Sequence, residues 1–450
     1  MIDDLRHYPA MNYSGVPWLG NVPEHWEIHK LKRIVRLQSG ESITAFDIHE
    51  EGAHPVYGGN GQRGYTSGFT HEGEFVLIGR QGALCGNINY AKGRFWASEH
   101  ALVAHPRRSF PVRWLGELLR TMNLNQYAIS AAQPGLSVER IEPLAIPYPP
   151  FDEQLAIARF LDHVDRLSRR YVSAKRRLIK LLEEQKQAIV QRAVTRGLDP
   201  NVPLEPSGVE WLGDVPEHWE VRRGKYYFRE VDERSGDGSE ELLSVSHKSG
   251  VTPRSEKNVT MFMAHSYVGH KLCRPGDIVV NTMWGWMAAA GVAERLGIVS
   301  PSYGVYRPRE PDDFRSQYLD FLLRTELYRG EYVRSSRGIT TSRLRLYPDD
   351  FLRIEFICPP LEEQDAILDW IGKATAELRR AIAAAKREIY LLNEYRTRLI
   401  ADVVTGKLDV RPAAMALHEI AELPDAVEIS DDTEVDEEVL DEEAETEEAA

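Results

Sequence analysis

Residues 14–27, SGVPWLGNVPEHWE, return at 207–220 as SGVEWLGDVPEHWE, with twelve of fourteen positions identical at an offset of 193. A second match, PPFDEQLAI at 149–157 and PPLEEQDAI at 359–367, has an offset of 210. RLIKLLEEQKQAIVQRAVTRGLD (177–199) aligns with REIYLLNEYRTRLIADVVTGKLD (387–409) at that same offset. Such a repeat constrains the fold more than any single motif, because each copy has to form the same supersecondary unit. The unit is a Trp-rich lead, a body and a long charged segment. The bodies do not resemble each other, so one frame carries two contents. The expected layout is a lead over 1–27, a body over 28–150, a central helix over 151–199, a second lead over 200–220, a second body over 221–360, a C-terminal helix over 361–409 and an acidic tail over 410–450.

The charged segments read as helices. In the first, Ile157, Phe160, Val164, Leu167, Tyr171, Ala174, Leu178 and Leu181 keep a 4-3-4-3 spacing. In the second, Ile367, Ile371, Ala374, Leu378, Ala381, Ala385, Glu388, Leu392, Tyr395 and Leu399 do the same, with only Glu388 polar. Sustained over several heptads, this is a coiled-coil seam. Pro149-Pro150 and Pro359-Pro360 block an earlier start, and Asp152-Glu153 and Glu362-Glu363 suit a helix N-terminus. Gly197 with Pro200, and Gly406 with Pro412, supply the stops. A seam of this length has to pack on something, and the other copy is the obvious partner.

The bodies carry short β-type runs (75–79, 277–281, 304–306, 353–357) and helical stretches over 112–124 and 314–332, so each is expected to be a compact α+β domain. A chain of 450 residues has room for two to four domains. Its net charge of −14 is uneven: residues 411–450 hold sixteen acidic residues and one Arg, which leaves the rest nearly neutral. A nucleic-acid partner is therefore compatible with the acidic whole, and the tail is expected to be disordered. No apolar run approaches the ~18–20 residues of a membrane span, and MIDDLRHYPA lacks the apolar core of a signal peptide. Cys85, Cys273 and Cys358 are far apart and form no CxxC pair, so neither a disulfide framework nor a zinc site is indicated, and a reducing cytoplasm is the simplest compartment.

Catalytic motifs are not found. GNGQRG (59–64) matches GxGxxG formally, but the YTSGF after it is no helix start, as a dinucleotide fold requires. No GxxxxGK[ST], HExxH or GxSxG occurs, and no carboxylates cluster at metal-ligand spacing. His25 and His218 belong to the repeated leads and read as structural.

The informative residues are polar side chains on glycine-rich turns. In the first body these are Tyr57, Asn60, Gln62 and Arg63, then Arg80 and Gln81 directly after a strand, with Lys92 and Arg94 beyond. In the second they are Lys248, Arg254 and Lys257, then Asn281, Trp284 and Trp286, then Arg334, Arg337, Thr340, Thr341 and Arg343. Arg and Lys read guanine edges, and Asn and Gln read adenine. Ser, Thr and Lys suit phosphates. Ordinary surface loops are polar as well, so two further readings stand beside DNA contact: a coiled-coil scaffold without DNA-reading function, and a nucleic-acid-modifying enzyme acting on its own.

Taken together, the duplicated WLG-VPEHWE and PP--EQ-AI signatures, the long helix after each, YGGNGQRGY, IGRQGALCGNI, GDIVVNTMWGW and GIVSPSYGVY resemble the specificity subunit of a type I restriction–modification enzyme over residues ~12–409. The resemblance implies an α+β fold in which two target recognition domains are held apart by two long antiparallel coiled-coil helices, with a pseudo-twofold internal repeat. It implies that each domain reads one half of a bipartite asymmetric site in double-stranded DNA. It implies that the helix pair sets the spacing and docks two methyltransferase subunits, with restriction/translocase subunits in the full complex and no membrane. It also implies no chemistry and no bound cofactor in this chain: S-adenosylmethionine, Mg and ATP belong to the partner subunits. The acidic tail departs from the family pattern.

Overall fold

A computed structural model describes residues 5–82, 84–128, 135–256, 266–310, 312–339 and 343–417. Lys257, Thr340 and Thr341 lie outside them, as does most of the acidic tail. The chain divides into two compact units, one built from 1–175 with 387–427, the other from 176–386 with 428–450. Each is described by itself.

In the first body, β1 (Val35–Ser39), β2 (His54–Gly58), β3 (Gly61–Thr66), β4 (His71–Gly79), β5 (Ile88–Ala97) and β6 (Ala101–Pro106) form one sheet in the order β1-β6-β4-β5-β2-β3. All neighbours are antiparallel except β2 and β5. Helix α1 (Val112–Thr121) buries Trp114, Leu115, Leu118 and Leu119 beside Val76, Ile78 and Ile88 of the sheet. The 46-residue α2 (Phe151–Arg196) follows, about 69 Å long at 1.5 Å per residue.

The second body has a different sheet: β7 (Phe228–Glu230), β8 (Leu243–Ser246), β9 (Gly250–Pro253), β10 (Ile278–Val280), β11 (Ala290–Val292) and β12 (Gly304–Pro308). Four strands run β7-β12-β10-β11, all antiparallel, while β8 and β9 form a separate hairpin. The helical stretch expected over 314–332 is two helices, α3 (Ser316–Leu323) and α4 (Glu326–Ser335). The break falls at Thr325, whose side chain accepts from the Tyr328 N–H and caps α4. The C-terminal helix likewise divides into α5 (Leu361–Ala374) and α6 (Ala376–Val404). Between them the buried Thr375 donates its hydroxyl to Ile371 O at 2.7 Å, a back-bond of the kind that bends helices.

The frame is duplicated down to single hydrogen bonds. Each lead makes a hairpin, Met11–Tyr13 on Asn21–Pro23 and Leu204–Pro206 on Asp214–Pro216, in the same register. A two-stranded strap then closes each body, pairing Tyr148 with Glu27 and Cys358 with Glu220. At the start of each long helix the buried Gln154 and Gln364 donate back to Pro149 O and Pro359 O. Beside them Glu153 and Glu363 hold the lead histidines, with His25 Nε2 at 2.8 Å and His218 Nε2 at 2.6 Å. The structural role read for the two histidines is what the geometry displays.

The seam is only partly where heptad counting put it. Ile157, Phe160, Val164, Ile367, Ile371 and Leu399 are buried, and Leu378 and Leu392 half-buried. Leu167, Tyr171, Leu178, Leu181 and Tyr395 are exposed by 41–53 %. Helix α2 carries two apolar stripes, and the packed one runs Ile157, Leu161, Val164, Ser168, Val172, Ile179 and Leu182. In the first unit α2 and α6 are antiparallel: Asp165 meets Arg396 at 2.6 Å, and Lys175 meets Glu388 at 2.7 Å. In the second unit Lys386 meets Glu183 at 3.6 Å.

The tail also begins later than composition suggests. Arg411–Ala416 is helical, Val410 and Ala414 are buried, and the Arg411 guanidinium forks onto Asp409 at 2.7 and 2.9 Å. No helix among the described residues is long and apolar enough to cross a membrane.

Candidate nucleic-acid interface

The first body gathers its candidates at one end of the sheet. The β2–β3 turn and the loop after β4 touch there because two glycines let them. A Cβ on Gly79 would sit 2.3 Å from Gly59 O and 2.9 Å from Leu84 O, so only glycine fits. Gly61 turns the hairpin at a φ of 105°. Asn87 Nδ2 donates to Asn60 Oδ1 at 3.0 Å, while Asn87 Oδ1 accepts from Ile88 N–H at 3.1 Å, which fixes both amides. Gln81 Oε1 lies 3.0 Å from His100 Nδ1, and Arg80 donates Nη1 to Ser39 Oγ at 3.0 Å. The Arg63 side chain lies over Gly58. Asn60, Gln62, Arg63 and Gln81 are exposed. His100 and Asn87 complete the group. Asn87 is visible in the glycine-rich run, but nothing local in the sequence marks His100, which the β5–β6 turn delivers.

Three first-body candidates stand apart from this group. Tyr57 packs its ring edge-on against Phe95 at 5.7 Å, and burial raises its phenol pKa. Lys92 and Arg94 lie along β5 away from the loop and pair with Glu74 at 2.7 Å and Glu72 at 3.2 Å across the β4–β5 ladder. Cross-strand pairing is the ordinary use of such charges on an exposed sheet face.

In the second body, the turn at 281–287 and the segment 343–346 come together: Leu346 N–H donates to Thr282 O at 3.0 Å, and Leu346 packs against Gly285. Asn281 is fully buried. Its Oδ1 accepts from the N–H groups of Met283 and Trp284, and its Nδ2 donates to the Tyr303 hydroxyl. It shapes the turn and is not placed to reach a base edge, because all its polar atoms are spent inside the domain. Trp284 and Trp286 lie 5.8 Å apart on that turn. The basic run is less bare than its sequence: Arg337 pairs with Asp350 at 2.6 Å and Arg334 with Glu331 at 3.2 Å, both acids from outside the run. The Asp350 carboxylate raises the Arg337 pKa. Arg343 is exposed. Lys248, in the β8–β9 turn, and Arg254, beyond β9, fall at opposite ends of one hairpin. The second group is therefore the 281–287 turn with Arg334, Arg337 and Arg343.

Among the described residues no His/Cys/Asp/Glu group could hold a metal ion. Both sites are arrays of amides, guanidinium groups and aromatics on turns, a surface suited to reading base edges and phosphates.

The comparisons bear on the same surfaces. A family model, the type I restriction modification DNA specificity domain, matches residues 23–177. The EcoprrI specificity subunit of Escherichia coli is 43 % identical over 142 residues, 31 % of this chain and 35 % of that one. The chain thus spans about a third of that relative's length in the alignment. A type I restriction enzyme specificity subunit of Haemophilus influenzae is 26 % identical over 337 residues, covering 72 % of this chain and 81 % of its own. A solved chain from work on complex assembly and conformational transition of the type I R-M system shares the fold, with a TM-score of 0.52, 16 % identity, and 85 % and 98 % of the two chains covered. The duplicated frame and the two unlike bodies agree with these similarities: residues 23–177 match the type I restriction modification DNA specificity domain, and the chain is similar to type I restriction enzyme specificity subunits.

Proposed function

We propose that each body reads one half of a bipartite, asymmetric site in double-stranded DNA, and that the helix pair sets the spacing and carries methyltransferase subunits. The observation that carries this is the contrast between frame and contents. Leads and straps repeat in register, and the Gln and His bonds at the helix starts repeat with them, while the sheets and polar loop groups of the bodies differ. Two different readers on one duplicated mount suit a target whose halves differ. The first reader is the group Asn60, Gln62, Arg63, Arg80 and Gln81, completed by Asn87 and His100. The second is the turn bearing Trp284 and Trp286 with Arg334, Arg337 and Arg343.

The docking of partner subunits rests on the second stripe of α2. Leu167, Leu178 and Leu181 keep heptad positions yet stay exposed, an apolar row that fits helices of another chain, while Tyr171 between them donates its hydroxyl to Glu388 of α6. Methylation and cleavage then belong to methyltransferase and restriction/translocase subunits, which supply the sites for S-adenosylmethionine, Mg and ATP.

The test replaces residues 28–150 with the corresponding body of another specificity subunit, in a host carrying the complete system, and maps methylated positions across the genome. One half of the recognised site is expected to change and the other to persist. A change in both halves, or in neither, overturns the reading.

A further inference from the structure

Helix α1 of the first body is joined to both long helices through one carboxylate. Arg113 stands in the first turn of α1 and points at α2. Its Nη1 is 3.0 Å from Glu117 Oε1, its Nε is 3.5 Å from Asp162 Oδ1, and its Nη2 contacts Asp165. Asp165, itself buried, also takes Arg396 Nε of α6 at 2.6 Å. One α2 carboxylate is thus shared by a guanidinium from the reading domain and one from the opposite helix. Behind it Glu117, fully buried, receives Arg120 Nη1 at 2.5 Å and the Tyr90 hydroxyl at 3.0 Å. Arg120 in turn donates Nη2 to Ile88 O at 2.8 Å. Ile88 follows Asn87, so hydrogen bonds through Arg120 and Glu117, continued by the charge contacts of Arg113, connect the reading loop to the helix pair. The three cations, Arg113, Arg120 and Arg396, balance the three carboxylates, Asp162, Asp165 and Glu117.

The second unit has no equivalent among its described residues. There Arg315, just before α3, forks onto Asp365 of α5 at 2.8 Å for both bonds, and both side chains are about half exposed. An exposed pair, even a forked one, is worth little, whereas a buried carboxylate shared by two guanidinium groups is costly to leave unpaired and so holds both partners in place.

We infer that Asp165 is a positioning residue that fixes the seat of the first reading domain on the helix pair, and so determines how strictly the spacer between the two half-sites is measured. This rests on the reading of the chain as a bipartite DNA reader. A seat held through both helices admits one distance; a seat held by a single exposed pair yields. Asp165 touches no base, so its loss should alter tolerance to spacer length and leave base choice intact.

The experiment uses the full chain assembled with its methyltransferase subunits. DNA carries the recognised site with the native spacer, with one base pair more or fewer, or with single substitutions in either half. Asp165→Asn is expected to reduce the preference for the native spacer by about tenfold while the ranking of substituted bases stays as in the wild type. Asp365→Asn is expected to leave the spacer preference unchanged. Wild-type spacer preference in Asp165→Asn, or altered base choice with preserved spacer preference, overturns the inference. Should thermal melting show that Asp165→Asn does not fold, Arg113→Lys carries the test. It keeps the charge and loses the planar group that faces Glu117, Asp162 and Asp165 at once, and an unchanged spacer preference there is equally fatal. A wild-type complex without any sequence preference would instead refute the underlying DNA-reading function, a result visible before any variant is made.

Discussion

Arg80 is fixed by its backbone before its side chain is considered. Its N–H donates to His100 O and its carbonyl accepts from Leu136 N–H, both at 2.8 Å. Ser39 takes one of its five guanidinium donors, and a neutral hydroxyl partner neutralises none of the charge. A guanidinium held this way is suited to fork onto a guanine edge. Arg80→Ala is expected to cost about 1–3 kcal/mol in specific binding and to relax base choice at one position. Binding isotherms over a panel of substituted sites check this; uniform weakening with a shallower salt dependence would reassign Arg80 to a phosphate. A different residue-scale effect comes from His71 and His105 behind the same sheet. Their rings are 5.2 Å apart, and His71 stacks on Phe95 at 5.4 Å. Burial lowers both pKa values, so the fold favours the neutral imidazoles. Above the unfolded value of about 6.5 nothing is lost; as pH falls below it the unfolded chain takes up protons first, and stability drops until the folded pKa is reached. The melting temperature of the first body is expected to fall as pH is lowered from about 7 to about 5, and His71→Phe should flatten that fall. A melting profile equally steep in the variant would place the sensitivity elsewhere.

At the scale of elements, α2 shows both what periodicity establishes and where it stops. The proline starts, acidic first turns and glycine stops bracket Phe151–Arg196 closely. The antiparallel pairing follows from the order of its contacts, Asp165 to Arg396 and Lys175 to Glu388. Which stripe packs inward was not legible. Ile157–Leu161–Val164–Ser168 and Val164–Leu167–Tyr171–Leu178 are both heptad rows, and a 3.5-residue count cannot say which one meets the partner helix. The ion pairs that decide it join residues more than two hundred positions apart. The same limit applies in the bodies: hairpin glycines and strand ends were readable, whereas the burial of Asn281 and the pairing of Arg337 with Asp350 depend on long-range contacts. LLRT occurs at 118–121, where it closes α1, and at 322–325, where α3 ends at Leu323 and Thr325 caps α4, so the bodies share a helix end despite their unlike sheets. The helix pair yields its own prediction. Lengthening α2 near Ser168 alone would shift one helix against its partner, so a matched insertion is needed in α6 at the level of Leu392. One heptad in each adds about 10 Å of rise. The spacer of the recognised DNA is expected to lengthen while both half-site sequences persist, as mapping of methylated positions would show; an unchanged spacer in an active complex refutes the ruler.

For the whole molecule, the repeat gives each unit a junction between a long helix and a lead, and the two units make that junction differently. In the second, the end of α2 runs covalently into the second lead, and a Cβ on Gly197 would meet Trp219. In the first, the equivalent junction is made by the two ends of the chain. Asp409 N–H donates to Arg6 O at 2.8 Å, His7 Nδ1 lies 2.7 Å from Lys407 O, and a Cβ on Gly406 would meet Pro23 and Trp26. Residues 410–450 therefore follow a junction whose twin in the second unit runs on into a short linker. Because Arg411–Ala416 is helical and Arg411 is tied to Asp409, a truncation that tests the tail has to follow Leu417 rather than Val410. All sixteen acids of residues 411–450 lie beyond that cut. Carried by the same molecule, they would compete with DNA for exposed cations such as Arg343. The competition is electrostatic, so it should be strongest at low salt and fade as the screening length shortens to about 8 Å near physiological ionic strength. Specific binding, which adds directional contacts to base edges, should suffer less than random binding, which rests on phosphates alone. Deleting the tail is therefore expected to tighten binding to random DNA at low salt more than binding to the recognised site. Salt titrations of both affinities for the full-length and truncated chains, each assembled with methyltransferase subunits, decide the matter. Equal random-DNA affinities at every salt concentration would leave the tail as no more than a solvating extension.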